Sequence, residues 1–174
     1  MTILPIRVAP DPVLKVKCEK VETVTDEDRR LLDDMLATMY DAPGIGLAAP
    51  QVGVTKRMIV VDVSGPDKKE APLKLINPEI TWSAEEMAPY EEGCLSFPEQ
   101  YAEVKRPAEV EVVYLDENGE KQTLRASGLL STCIQHEIDH LDGINFVDHI
   151  SKLKRDMVMR RLQKWKKQHS AAAE

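Results

Sequence analysis

The chain has 174 residues, 43% of them hydrophobic, three cysteines and a formal net charge of −7. That is enough apolar material for one domain with its own core, expected to span residues 1–174 as a monomer, and the acidic balance argues against whole-surface binding of DNA or other nucleic acid. No apolar run approaches the ~20 residues of a bilayer span, no basic-then-apolar leader opens the chain, and three scattered cysteines make no disulfide framework, so a reducing cytoplasm is expected.

In chain order, residues 1–12 are punctuated by proline and read as a surface segment, with a short helix at about 12–17. Thr25 can cap a helix whose first turn, Asp26, Glu27 and Asp28, suits the positive end of the dipole. Leu31, Leu32, Met35, Leu36 and Met39 then recur at helical spacing, which predicts an amphipathic helix over 26–41. Residues 44–51 (Gly44-Ile45-Gly46-Leu47-Ala48-Ala49-Pro50-Gln51) carry little side-chain bulk, so a ligand backbone can approach closely. This is no dinucleotide loop: it follows a helix and lacks the third glycine. Residues 57–63 read as a buried strand and 64–72 as a charged loop. Short strands are expected at 73–76 and 79–82, divided by Asn77-Pro78, and at 86–91, 102–105, 109–115 and 121–126, the last two joined by a turn at Asp116-Glu117-Asn118-Gly119.

A helix over about 128–142 follows, starting near Ser127 or Gly128 and stopped by Gly143. It carries His136-Glu137-Ile138-Asp139-His140. Two imidazoles four residues apart share one helix face and can converge on a divalent metal, while Glu137 can reach a water at that metal without being a ligand. Leu129, Cys133, His136 and His140 form one stripe, so the site is expected to be buried. A series of short strands before such a helix implies an α+β fold. Short antiparallel sheets wrap around a central metal-binding helix, flanked by an N-terminal and a C-terminal helix.

A third metal ligand follows by elimination. No Glu follows His140 until Glu174, and Phe146 stands where one class of metallohydrolase places a third His. Asp142, Asp148 and His149 lie downstream, the first two so close to the helix stop that they would have to fold back. The soft donors are Cys18, Cys94 and Cys133, of which Cys133 lies one turn before His136 on the same face, better placed to line the cavity than to bind. Cys94 is the best candidate, in Glu92-Gly93-Cys94-Leu95-Ser96, where Gly93 permits a tight bend and Pro98 is expected to end local pairing.

Residues 44–51, 92–96 and 135–140 (Gln135-His136-Glu137-Ile138-Asp139-His140) resemble, in order, the three signature motifs of peptide deformylases, and the resemblance runs from about Ile6 to Gln168. It implies that family's fold and a metal-dependent hydrolase that removes the formyl group from formyl-methionine of newly made polypeptides, releasing formate. It also implies that Gln51 and the Leu95 backbone N–H meet the oxyanion, that the Gly44–Gly46 backbone pairs with substrate, and that the metal is Fe²⁺, with Zn²⁺, Ni²⁺ or Co²⁺ as substitutes. Ile45, Leu129 and Cys133 are expected to wall a pocket for the methionine side chain.

The last helix, at 152–168, holds eight Lys and Arg against one acid, Asp156. Leu153, Met157, Arg160, Arg161 and Lys164 mark an apolar-then-basic face, expected either to be solvated or to dock on polyanion, as the ribosome contact of some family members implies. Two other functions compete with the first: a broader metal-dependent amidase or peptidase, and an inactive ribosome-associated binder. The intact ligand candidates, Glu137 and Gln51 count against the last.

Overall fold

Thr25 opens the first helix, α1 (Asp26–Asp41), as its side chain predicts. Its Oγ1 accepts from the Asp28 N–H at 3.3 Å, and Asp28 Oδ2 accepts from the Thr25 N–H at 3.0 Å. This closed capping box satisfies two amides that the helix itself cannot. Thr25→Ala is expected to cost about 1 kcal/mol in denaturant unfolding and to leave metal binding unchanged. The computed structural model describes residues 1–65 and 72–173, with side chains as far as His169. Most of the expected charged loop at 64–72, and Glu174, lie outside the described residues.

Among the described residues, seven strands form two antiparallel sheets. β1 (Gly46–Ala48), β2 (Met58–Val61), β3 (Leu73–Ser83), β6 (Glu109–Leu115) and β7 (Lys121–Ser127) make a five-stranded sheet in the order β1-β2-β3-β6-β7. β4 (Met87–Cys94) and β5 (Phe97–Pro107) make a two-stranded ribbon. β2 is buried on both faces and shows why strands alternate. Ile59 and Val61 pack with Ile134, Ile138 and Leu141 of the second helix, α2 (Gly128–Leu141), whereas Met58 and Val60 pack with Leu32, Met35 and Met39 of α1. The sheet thus lies between the two helices, and the ribbon packs on the third, α3 (Lys152–Ala173), through Phe97, Val104, Val158 and Leu162.

Two proline readings are corrected. Asn77-Pro78 does not divide two strands: β3 runs through it for 11 residues with a register shift between Ile76 and Glu79. Asn77 takes φ 52, a value that asparagine tolerates, and its side chain exchanges two 2.8 Å hydrogen bonds with the Val21 backbone. Pro98 does not end pairing either. It lies inside β5, in a bulge opposite Gly93 and Cys94, where the lost N–H costs no ladder bond. The early helical segment is a short 3-10 turn, Pro12–Lys15.

α2 ends where Gly143 takes φ 74, and a Cβ there would lie 2.4 Å from the Lys15 carbonyl oxygen, so both conformation and space require glycine. On α3 the packing stripe is Val158 and Leu162, while Leu153 and Met157 of the expected apolar-then-basic face are exposed.

Candidate metal centre

α2 is buried on nearly every side, and its polar residues are there for a reason other than solubility. His136, Glu137 and His140 are all buried. The hairpin between β4 and β5 brings Cys94 across to them: Cys94 Sγ lies 3.4 Å from His140 Nε2. The ligand atoms of Cys94, His136 and His140 all fall within 4.8 Å of one another.

That spacing fits a metal. With bonds of roughly 2.3 Å to sulfur and 2.0–2.1 Å to nitrogen, tetrahedral geometry puts sulfur and nitrogen about 3.5 Å apart. Burial alone would lower His136, but Glu137, Cys94 and Glu92 outweigh it and hold its ring well above the usual histidine range. A cation would displace the proton it holds, whereas His140 is already neutral. Burial, with the charges of His136 and Arg106 adding to it, pushes His140 well below the usual histidine range, so its ring is neutral and free to donate a lone pair. His136 Nδ1 is taken by Glu92 Oε1 at 2.9 Å, which leaves Nε2 for the site. Burial alone would raise the Glu92 carboxyl, but hydrogen bonds from His136 and Arg106 outweigh it and hold the group below its ordinary value.

The other candidates fall elsewhere. Asp142 pairs with Arg57 at 2.9 Å, Asp148 accepts from the Asn145 N–H at 2.9 Å, and His149 bonds Asp139 at 2.8 Å. Burial pushes the Cys133 thiol well up, with Glu137 and Glu92 adding, so it stays protonated. Glu137 is not one of the three donors. Its Oε1 is buried with no partner among the described residues, and burial raises its carboxyl to about 7. A buried carboxyl so placed can hold or release a proton near neutral pH.

Cys94, His136 and Glu137 line a cavity of about 630 Å³ together with Gly44, Ile45, Gly46, Gln51, Leu95 and others, while His140 is not in its wall. Gln51 is buried and held from both ends: its Oε1 accepts from the Ala48 N–H at 2.9 Å, and its Nε2 points to Ser96 Oγ at 3.1 Å and Cys94 Sγ at 3.4 Å. Gly46 is required by contact, since a Cβ there would meet Glu137 Oε2 at 2.5 Å and Cys133 Sγ at 2.8 Å. Leu129 and Cys133 are not in this cavity's wall; Cys133 sits behind the edge strand, its Sγ 3.6 Å from the Ile45 carbonyl.

Two residues without a role in the sequence reading complete the centre. Glu92 stood in the quoted motif only as a neighbour of Cys94. Arg106 lay just past the expected strand at 102–105. Its signal was period two: if Val104 faces inward, so does Arg106, and a buried guanidinium asks for a carboxylate.

A buried helix with His-Glu-x-x-His, a cysteine from a facing hairpin and an adjoining cleft fit the class of metal-dependent hydrolases, with Cys94, His136 and His140 a group that could hold the ion. Comparison with known proteins narrows it. The sequence model of the polypeptide deformylase family matches residues 3–156. A peptide deformylase of Rhizobium meliloti is 57% identical over 99% of both chains, and one of Agrobacterium fabrum is 55% identical over 94% of this chain and 96% of its own. Among solved structures, a peptide deformylase from Legionella pneumophila superposes with a TM-score of 0.92 at 43% identity, covering 97% of this chain and 98% of its own. One from Ehrlichia chaffeensis, in complex with actinonin, gives 0.89 at 42%, covering 94% and 98%. The chain belongs to the polypeptide deformylase family, a family of enzymes.

Proposed function

We propose that this chain removes the formyl group from the formyl-methionine start of newly made polypeptides, releasing formate, as one catalytic domain spanning residues 1–174. The observation that carries the reading is the Cys94-His136-His140 donor set, two of whose members line a cleft together with Glu137 and Gly46 of an edge strand. Cys94 Sγ, His136 Nε2 and His140 Nε2 would hold a divalent cation, which would supply Lewis acidity and lower the pKa of water toward neutral pH. The chain's own groups do the rest. The backbone at Gly44–Gly46 pairs with the substrate as an added strand, since β1 is an edge of its sheet. Glu137 takes the proton of the attacking water on its carboxylate and passes it to the leaving amine nitrogen. The Gln51 amide and the Leu95 N–H stabilise the oxyanion.

Gly46→Ala should move Glu137 and lower kcat by about 10²-fold, because misplacements of about 1 Å cost that much, while the chain still folds. The reading as a whole is tested by release of formate from formyl-Met-Ala-Ser beside cleavage of acetyl-Met-Ala-Ser. Formate from the first alone supports it. Cleavage of both gives the broader amidase, and cleavage of neither by metal-loaded protein overturns it.

The metal proposed is Fe²⁺, with Zn²⁺, Ni²⁺ or Co²⁺ as substitutes; the donor set also suits Zn²⁺, which stands above Fe²⁺ in affinity. The protein is proposed to act as a monomer in the cytoplasm; no described helix is long and apolar enough to cross a membrane. The basic face of α3 supports docking on the ribosome, a polyanion, and unchanged ribosome co-sedimentation after deletion of residues 152–174 would count against it.

A further inference from the structure

The three donors come from two separate pieces of the fold. Cys94 ends β4, on the two-stranded ribbon, whereas His136 and His140 stand on α2. A metal site needs these pieces fixed relative to one another, and among the contacts that join them one guanidinium bonds to both. Arg106, on β5, is buried, at 5% exposure. Its Nε donates to Glu92 Oε2 at 2.7 Å and its Nη2 to Glu92 Oε1 at 3.0 Å, a two-pronged grip on the ribbon two residues before Cys94. Its Nη1 donates to Asp139 Oδ2 at 2.8 Å, on α2, one residue before His140. The same Glu92 carboxylate accepts from His136 Nδ1, and the same Asp139 oxygen is bonded from the far side by His149 Nε2 at 2.8 Å.

We infer that Arg106 is a positioning residue that sets the separation of Cys94 from the two histidines, and through it the site's affinity for its metal. This rests on the reading of Cys94, His136 and His140 as ligands. The guanidinium suits the task because its donors lie in one plane and point in different directions, so one rigid group reaches two carboxylates. A lysine at 106 keeps the charge but is a single point on a flexible stem. It can satisfy one acid, and the spacing of ribbon and helix is then left to the Glu92–His136 and Gln135–Pro107 bonds, which hold it less tightly. A residue that only stabilised the fold would, on replacement, lower the melting temperature and leave the affinity of the folded protein for metal unchanged.

The test is titration of metal-free, full-length protein with Co²⁺ under anaerobic conditions. The thiolate-to-cobalt absorption band follows binding, chelator competition gives the dissociation constant, and circular dichroism checks the fold. Arg106→Lys is expected to weaken Co²⁺ binding by about 10- to 100-fold, the usual range for groups that orient metal ligands. Asp139→Asn, which keeps the grip on Glu92, should weaken it less. If one of the two does not fold, the other decides the matter alone. A dissociation constant within twofold of the parent protein in both folded variants would overturn the inference. Absence of the thiolate band in the parent protein would instead overturn the ligand reading beneath it.

Discussion

Glu137→Gln is expected to lower kcat for formate release by about 10²–10⁴-fold while the protein still binds one metal, because the change removes the proton carrier and leaves the donors in place. The pH profile should change with it. Burial raises the Glu137 carboxyl to about 7, whereas a dication in the Cys-His-His cradle acts in the opposite direction. The acid limb of kcat/KM should therefore fall at or below pH 7 and disappear in the variant. Stability moves the other way. In the unfolded chain this carboxyl titrates at its ordinary 4.5 and in the metal-free fold at about 7, so between those values the folded state holds the extra proton. Its cost to the fold is absent below pH 4.5, grows as pH rises, and above pH 7 reaches on the order of 3 kcal/mol. Glu137→Gln should thus stabilise the metal-free protein above pH 7 and leave it unchanged below 4.5, as urea unfolding at the two pH values would report. A carboxyl held at the expense of stability is what the proposed role of Glu137 leads one to find.

The second large effect is expected at Cys94. Cys94→Ala removes one donor of three and should weaken metal binding by more than the roughly 10²-fold upper range for residues that merely orient ligands. Apparent stability falls with it. At free metal about 1,000-fold above the parent dissociation constant, binding contributes about 4 kcal/mol, most of which the variant should forfeit in thermal unfolding with metal present. Without metal the two proteins should differ little, since Cys94 is only partly buried. A variant that lost the same stability with and without metal would show that the cysteine packs rather than binds.

Much of this centre was legible because it is local. The His-Glu-x-x-His spacing and the Gly143 stop belong to one helix, and Thr25 with its three acids announces α1, so short-range rules suffice. Cys94 was reached by elimination, which works only where few donors remain. What escaped was non-local. Nothing near Asn77 says that Val21, far back in the chain, will pay for its left-handed backbone. Nothing near Pro98 says that Cys94 will pair with Phe97 across a tight turn, leaving the proline in a bulge. Arg106 depended on knowing that β5 continues past 105 and that two carboxylates wait at its inner face. Charged residues in strands are usually solvated, and only the fold reveals the exception.

The central claim is that Cys94, His136 and His140 hold one metal ion, and X-ray absorption at the metal edge of protein purified without oxygen tests it most directly. The account predicts about one first-row divalent metal per chain, with one sulfur at roughly 2.3 Å and two imidazole nitrogens at roughly 2.0–2.1 Å. A shell of oxygen and nitrogen alone, with no sulfur scatterer, would contradict it.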